Sequence, residues 1–239
     1  MSQLIRLPTV DSTMDLLHGL AAEGAEAGTV AVAGEQTGGR GSRGRSWQSP
    51  PGGLWLSVLL RPSSADGVEL IGLRIGLAVT EVMAALGPGV PVEIKWPNDL
   101  MVGDRKLGGI LCEARWQGAS LAWVVAGVGI NVANPIPPEL RGMATSLAER
   151  LHGITPQVIE PAVAAGLRAL DTSTERLRPS EQSALRQRDW LYGRHLLAPV
   201  SGIAQGIADD GALLVRRSGG EIVSVRAGTV ELADQSLTP

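Results

Sequence analysis

Apolar and polar positions divide the chain into readable segments before any chemistry is considered. The stretch LIRLPTVDSTMDLLHGLAAEG (4–24) reads as a short strand, a turn and an amphipathic helix, with Asp11, Ser12 and Thr13 offering N-cap chemistry. TVAVAGEQ (29–36) and LWLSVLLR (54–61) are near-continuous apolar runs of strand length, and residues 67–87 predict a long helix with more than one apolar side. VEIKWP (92–97) is a strand stopped by proline, followed by a reversal with Gly103-Asp104 at its bend. LGGILCEARW and LAWVVAGVGINV are two further strands joined near Gln117-Gly118. Residues 133–142 form a proline-rich loop, and helical spacing recurs over 144–151, 156–171 and 180–191. From about Arg194 the pattern turns to short strands separated by Asp210-Gly211 and Ser218-Gly219-Gly220 turns.

This order predicts an α+β fold, with a mixed, largely antiparallel sheet and flanking helices over residues 1–192. A small β-barrel-like domain would follow over 193–239. No internal repeat or low-complexity linker is present.

Composition narrows the function. With 239 residues, 44% of them hydrophobic, the chain can bury a sizeable core. A net charge of −3 disfavours a general nucleic-acid or membrane binder, and a single cysteine, Cys112, excludes an internal disulfide. Without a signal peptide or an apolar run long enough to span a bilayer, a cytoplasmic protein is expected. Only two of the 21 basic residues are lysine, Lys95 and Lys106. In so arginine-rich a chain, a retained lysine marks a place that needs a compact ammonium with three rotatable donors.

Against the acidic balance stands QTGGRGSRGRSW (36–47), with four glycines and three arginines. Gly39, Gly41 and Gly44 satisfy G-x-G-x-x-G, but the chain then runs through Trp47 and a Pro-Gly segment into a strand. A dinucleotide site needs a helix there, and a P-loop needs G-K-[ST], so both readings fail. Glycines that expose backbone N–H groups, together with guanidinium forks, suit a carboxylate or phosphate. A segment of this composition is expected to take its shape around a small anionic ligand. An RNA-holding loop is the rival reading, disfavoured by one tyrosine and no phenylalanine for base stacking.

Three more stretches offer site chemistry. KWPNDL (95–100) presents Lys95, Asn98 and Asp99 from a strand end and turn. KLGGILCE (106–113) follows Lys106 with glycines, Gly109 among them, that allow a ligand to approach the strand, and GVGIN (127–131) gives a bare wall at Gly127 and Gly129 beside Asn131. His18, His152 and His195 lack metal-ligand spacing, and Cys112 reads as a small buried thiol, so no metal site is expected.

Taken in order, the DST turn, GRGSRGRSW, KWPNDL, KLGGIL, GVGIN and the closing GIAQGIADDGALLV…GGEIVSVRAG resemble the biotin protein ligases over nearly the whole chain. The resemblance implies a class II synthetase-like catalytic domain, a C-terminal SH3-like barrel, and ATP, magnesium and biotin as reactants. It also implies a two-step reaction, in which biotin is activated to biotinyl-5′-AMP and passed to a lysine of a biotin carboxyl carrier domain of a carboxylase. By resemblance, Ser12, Thr13, Met14 and Gln36 face biotin, with Gly39, Arg40, Gly41 and Ser42 in the loop over it. Lys106, Gly109, Gly127 and Gly129 complete that side, with Lys106 and Arg40 as the catalytic cations. Arg43, Arg45, Trp47, Lys95, Asn98, Asp99 and Asn131 fall on the nucleotide side. A homodimer is compatible with the family. The related lipoate and octanoate transferases are the nearest alternative.

Two positions depart from the family pattern: Ser42 stands where arginine is usual, and Met14 where a polar residue is frequent. Loss of the arginine predicts looser retention of the adenylate, with Arg43 as a neighbouring substitute. Because the DST turn begins at residue 11, no preceding DNA-binding domain, and hence no repressor activity, is expected.

Overall fold

The computed structural model describes residues 3–87 and 89–233; the outer ends of both predicted domains lie outside them. Strand β1 (Leu4–Val10), helix α1 (Thr13–Ala22), strands β2 (Val30–Gln36) and β3 (Leu54–Leu60) and helix α2 (Ile71–Ala85) open the chain. There follow β4 (Glu93–Lys95), β5 (Asp99–Val102), β6 (Arg105–Gln117), β7 (Ser120–Ile130), α3 (Pro156–Arg168) and α4 (Pro179–Arg188). The first seven strands form one sheet in the order β1-β2-β3-β7-β6-β5-β4, parallel only between β1 and β2. This is the mixed, mainly antiparallel sheet that the apolar runs predict.

Strand periodicity explains the layers. On β7, Val124, Ala126, Val128 and Ile130 join the large core containing α2, α3 and α4 residues, whereas Val125 joins a smaller core with Met14, Leu17 and Ala21 of α1. Leu59 and Ala31 make the same alternation on β3 and β2. Because side chains alternate across a strand, Gly127 and Gly129 fall on the α1 face with Val125. At those two positions the strand adds no side chain of its own to that face. The sheet thus carries a floor without side chains beside a helix N-terminus.

The expected helix over 144–151 is not formed; only a 3₁₀ turn, Leu147–Glu149, occurs there. Tertiary pairing takes its backbone instead. Thr145 N donates to Lys106 O, Leu147 N to Asn131 O and Ala148 N to Val132 O, at 3.0, 3.0 and 2.8 Å. This pairing holds Ser146 extended at φ −128 and ψ 162, a conformation that a helix cannot contain.

Strands β8 (His195–Ala198), β9 (Gly202–Ile207), β10 (Leu213–Arg216), β11 (Ile222–Val225) and β12 (Glu231–Leu232) form a second sheet, ordered β11-β10-β9-β8-β12 and antiparallel throughout. It meets the first part through Trp96 Nε1, which donates to Gly211 O at 3.0 Å, and Leu177 N, which donates to Asp209 O at 2.7 Å. Among the described residues, no helix is long and apolar enough to cross a membrane.

Candidate active site

A cavity of about 440 Å³ opens over the glycine floor. One end is a polar rail built on the start of α1. Ser12 caps the helix, its Oγ accepting from Asp15 N at 3.3 Å. Thr13 donates from its backbone N (2.9 Å) and its Oγ1 (3.0 Å) to Gln36 Oε1, and lies 2.7 Å from Ser57 Oγ. Since the threonine proton is committed to Gln36, Ser57 must be the donor in that pair. Gln36 Nε2 in turn donates to Ser49 Oγ at 2.9 Å. The chain of bonds fixes the amide's orientation at the cavity wall. Met14 lies against the floor on its cavity side: a Cβ on Gly127 would stand 2.8 Å from its Sδ.

The glycine-arginine segment forms a hairpin of its own. Gln36 N donates to Ser49 O (3.0 Å), Trp47 N to Gly39 O (2.8 Å) and Gly41 N to Arg45 O (2.7 Å). A single tight turn, Ser42–Gly44, makes the tip. Side chains are excluded along its inner edge: a Cβ at Gly38 would come 2.3 Å from Asp11 Oδ1, and one at Gly39 2.4 Å from Trp47 O. Backbone pairing gives this loop a defined hairpin shape beside the cavity.

Charge is arranged in pairs across the site. Arg40 reaches Asp15 Oδ1 at 2.5 Å and Glu113 Oε2 at 3.1 Å, while its buried Nε has no hydrogen-bond partner. Lys106 Nζ stands 2.5 Å from Asp99 Oδ1 and 5.1 Å from the centre of the Trp47 ring. The Trp47 indole lies on Gly129, where a Cβ would come 2.7 Å from Nε1, and that buried N–H is unpartnered. Two cations therefore face the cavity, balanced by protein carboxylates that an anionic ligand would displace or share.

Glu113 is steadied from behind by His18, whose Nε2 lies 3.1 Å away, and Trp123 Nε1 donates to His18 Nδ1 at 3.0 Å. An indole N–H can only donate, so His18 is neutral and carries its proton on Nε2. Burial, and then Arg115, lower its pKa, which agrees. Burial pushes the Cys112 thiol up to about 12, consistent with an inert thiol.

The predicted positions sort clearly. Ser12, Thr13, Met14, Gln36, Arg40, Gly41, Ser42 and Arg45 line the cavity. So do Trp47, Asn98, Asp99, Lys106, Gly109, Gly127, Gly129 and Asn131. Asn131 is already committed, donating to Thr145 O and accepting from Asn134 Nδ2, each at 3.1 Å. Gly39, Arg43 and Lys95 are not lining residues. Gly39 serves hairpin pairing, and Lys95 stacks over Trp190 at 5.0 Å, where burial lowers its pKa and Asp99 partly offsets this. Arg43 turns away, donating to Gly228 O at 2.6 Å and to Thr229 Oγ1, so it does not substitute for the arginine missing at Ser42. Sequence reading missed Ser57, Asp15 and Glu113, and the apolar end formed by Ile136, Pro137, Leu140 and Met143. Only Glu113 left a signal, sharing strand parity with Gly109.

Residues 7–131 match the biotin/lipoate A/B protein ligase family, and 198–233 match the biotin protein ligase C-terminal domain. The chain is 35% identical to a biotin–[acetyl-CoA-carboxylase] ligase of Mycobacterium tuberculosis, over 93% of its own length and 85% of the relative's. It is 32% identical to the bifunctional ligase/repressor BirA of Bacillus subtilis, over 96% of this chain and 74% of that one. Among solved structures, the Aquifex aeolicus biotin protein ligase in complex with biotin and ATP superposes with a TM-score of 0.80 at 28% identity, covering 97% of this chain and 99% of the other. The Leishmania major biotin protein ligase in complex with biotin gives 0.67 at 26%, covering 95% and 99%.

Proposed function

The chain belongs to the biotin protein ligases of the biotin/lipoate A/B protein ligase family, and from that premise we propose how its own residues carry out biotin activation and transfer. The observation that carries the reading is one cavity joining three features: a rigid polar rail (Thr13, Gln36, Ser57), a floor without side chains (Gly127, Gly129) and two cations, Lys106 and Arg40. A fused-ring ureido compound needs the first two, a slot with a few fixed hydrogen-bonding groups. Joining a carboxylate to a nucleotide needs the third.

In the first step a biotin carboxylate oxygen attacks the α-phosphorus of ATP in line, and pyrophosphate leaves with the electron pair of the broken bond. Two anions must approach to bonding distance. At about 4 Å each unit-charge pair costs roughly 4 kcal/mol at an effective dielectric near 20. Lys106 stands where carboxylate and α-phosphate meet and offsets that repulsion, and Arg40 and Arg45 supply forks from the loop. Trp47 and the apolar end toward Leu140 and Met143 bracket the base. Magnesium suits such a site by arriving on the triphosphate and adding one or two carboxylates, and Asp99 is the cavity carboxylate that would share it. When bound, it neutralises phosphate charge. In the second step the amine of a carrier-domain lysine attacks the acyl carbon of biotinyl-5′-AMP, AMP departs, and an amide remains. The hairpin shields the labile anhydride from water until then. The biotin carboxyl carrier domain of a carboxylase is the acceptor of this family's reaction. The division into a catalytic part, 1–192, and a β domain from 193 belongs to the same proposal and is supported by the two separate sheets.

Exchange of labelled pyrophosphate into ATP tests the first step. It should require biotin and ignore lipoate and octanoate. Exchange driven by lipoate instead would move the chain to the sister transferases.

A further inference from the structure

The cavity takes no lining residue from beyond Ala144, so the second sheet contributes nothing to it directly among the described residues. One contact nevertheless joins that sheet to the site. At the hairpin tip Arg43 has φ +62, the single non-glycine positive φ among the described residues. A non-glycine residue in this left-handed region carries a backbone cost that its surroundings must offset. What holds it is the connection from β11 to β12, where the guanidinium donates one NH2 to Gly228 O at 2.6 Å and the other to Thr229 Oγ1. Gly228 is itself tightly seated, since a Cβ there would lie 2.7 Å from Pro199. The acceptor is thus a fixed point on the second sheet. The residues two away and next door, Arg45 and Ser42, do line the cavity, and Arg45 leans on Ser42 through bonds of 3.4 and 3.3 Å. The same hairpin is tied on its inner side by Arg40 to Asp15 and Glu113.

We propose that Arg43 is a positioning residue that latches the hairpin to the C-terminal sheet, so that this sheet sets how firmly the hairpin closes over the substrates without touching them. The functional part of the inference rests on the ligase reading above; the latch itself does not. Releasing Arg43 frees the tip, moves Ser42 and Arg45 away from the cavity and weakens retention of ATP and biotinyl-AMP. The chemistry at Lys106 is left intact.

Arg43→Gly is the informative variant, because glycine keeps φ +62 without strain while the whole side chain, guanidinium included, is removed. Arg43→Ala, which keeps a Cβ, should show the same losses and so excludes added backbone freedom as their cause. Hydrogen exchange on the full, ligand-free chain should rise on the order of fivefold in both 38–47 and 226–230, as expected for losing a partly exposed, charge-assisted pair. In biotin-dependent pyrophosphate exchange, KM for ATP should rise by a similar factor, about fivefold, with any fall in kcat smaller than the rise in KM. Arg43→Lys, which retains one donor group, should fall between the two. Thr229→Val should act in the same direction and add nothing to Arg43→Gly. Unchanged exchange in both segments, additive effects of Arg43→Gly and Thr229→Val, or a fall in kcat at constant KM would overturn the latch. A parent protein without biotin-dependent turnover would overturn the ligase reading instead, while the hydrogen-exchange result would still decide the latch.

Discussion

Replacing Lys106 with methionine keeps the length of the side chain and removes its charge, and the cost can be worked from the site. On the proposed mechanism the ammonium faces two anions at the moment of reaction, the attacking carboxylate and the α-phosphate. Each is worth roughly 4 kcal/mol at about 4 Å and a dielectric near 20. Lys106 is 30% exposed, so screening takes away about half, leaving about 3–4 kcal/mol in total. Biotin-dependent pyrophosphate exchange should therefore fall on the order of 10²- to 10³-fold. The upper end is favoured because Asp99 loses the ammonium 2.5 Å away that balances its charge beside the phosphates. Stability should change by ~1 kcal/mol or less, since the pair is partly solvated. Lys106→Arg tests the second part of the reasoning. Charge alone would restore the rate, whereas a longer planar fork beside Trp47 should recover no more than about a tenth of it. Exchange by Lys106→Met within about threefold of the parent would refute the electrostatic role, and a full rate in Lys106→Arg would refute the need for a compact ammonium.

Ser42→Arg should slow escape of biotinyl-AMP, measured by rapid filtration of preformed adenylate; equal or faster release would contradict the account of that position. Neighbouring glycines should separate fold from function. A Cβ at Gly108 would meet Gly129 O at 2.4 Å, so Gly108→Ala should cost about 2 kcal/mol and roughly 4–8 °C in Tm. Gly109→Ala, with Lys106 Cε at 3.5 Å, should melt like the parent but adenylate more slowly. Burial raises the Asp189 carboxyl to about 6, above its unfolded value near 4, so its contribution is fully present below pH 4 and is lost as pH rises through 6. Asp189→Asn should therefore gain Tm relative to the parent at pH 7 and match it near pH 4; an equal offset at both would show that titration is not the cause.

What could be read from the chain, and what could not, follows the range of the interactions. Strands β3 and β7 announce themselves because their apolar residues are continuous in sequence, and the bare floor follows from glycine at every second position, Gly127 and Gly129. Ser12 and Thr13 are legible because capping is local. The carboxylates on Arg40 are not: Asp15 lies 25 positions away and Glu113 lies 73 away, and only the packing of α1 against the sheet brings them together. Lys95 looks like a site lysine from its turn, yet stacking on Trp190 from beyond α4 draws it elsewhere. The segment 144–151 has helical spacing, but Lys106, Asn131 and Val132 compete for its backbone and prevail. Arg43 points away from the cavity because its backbone is left-handed there and its acceptors, Thr229 and Gly228, lie 186 and 185 positions away.

The central claim is that one cavity activates biotin with ATP and delivers it to a protein lysine. Incubation of the full chain with ATP, magnesium, biotin and a biotin carboxyl carrier domain, followed by intact-mass measurement of the carrier, tests it most directly. The account predicts a gain of one biotinyl group on one lysine, absent when either ATP or biotin is withheld. A carrier of unchanged mass, in a reaction where an established ligase modifies it fully, would contradict it.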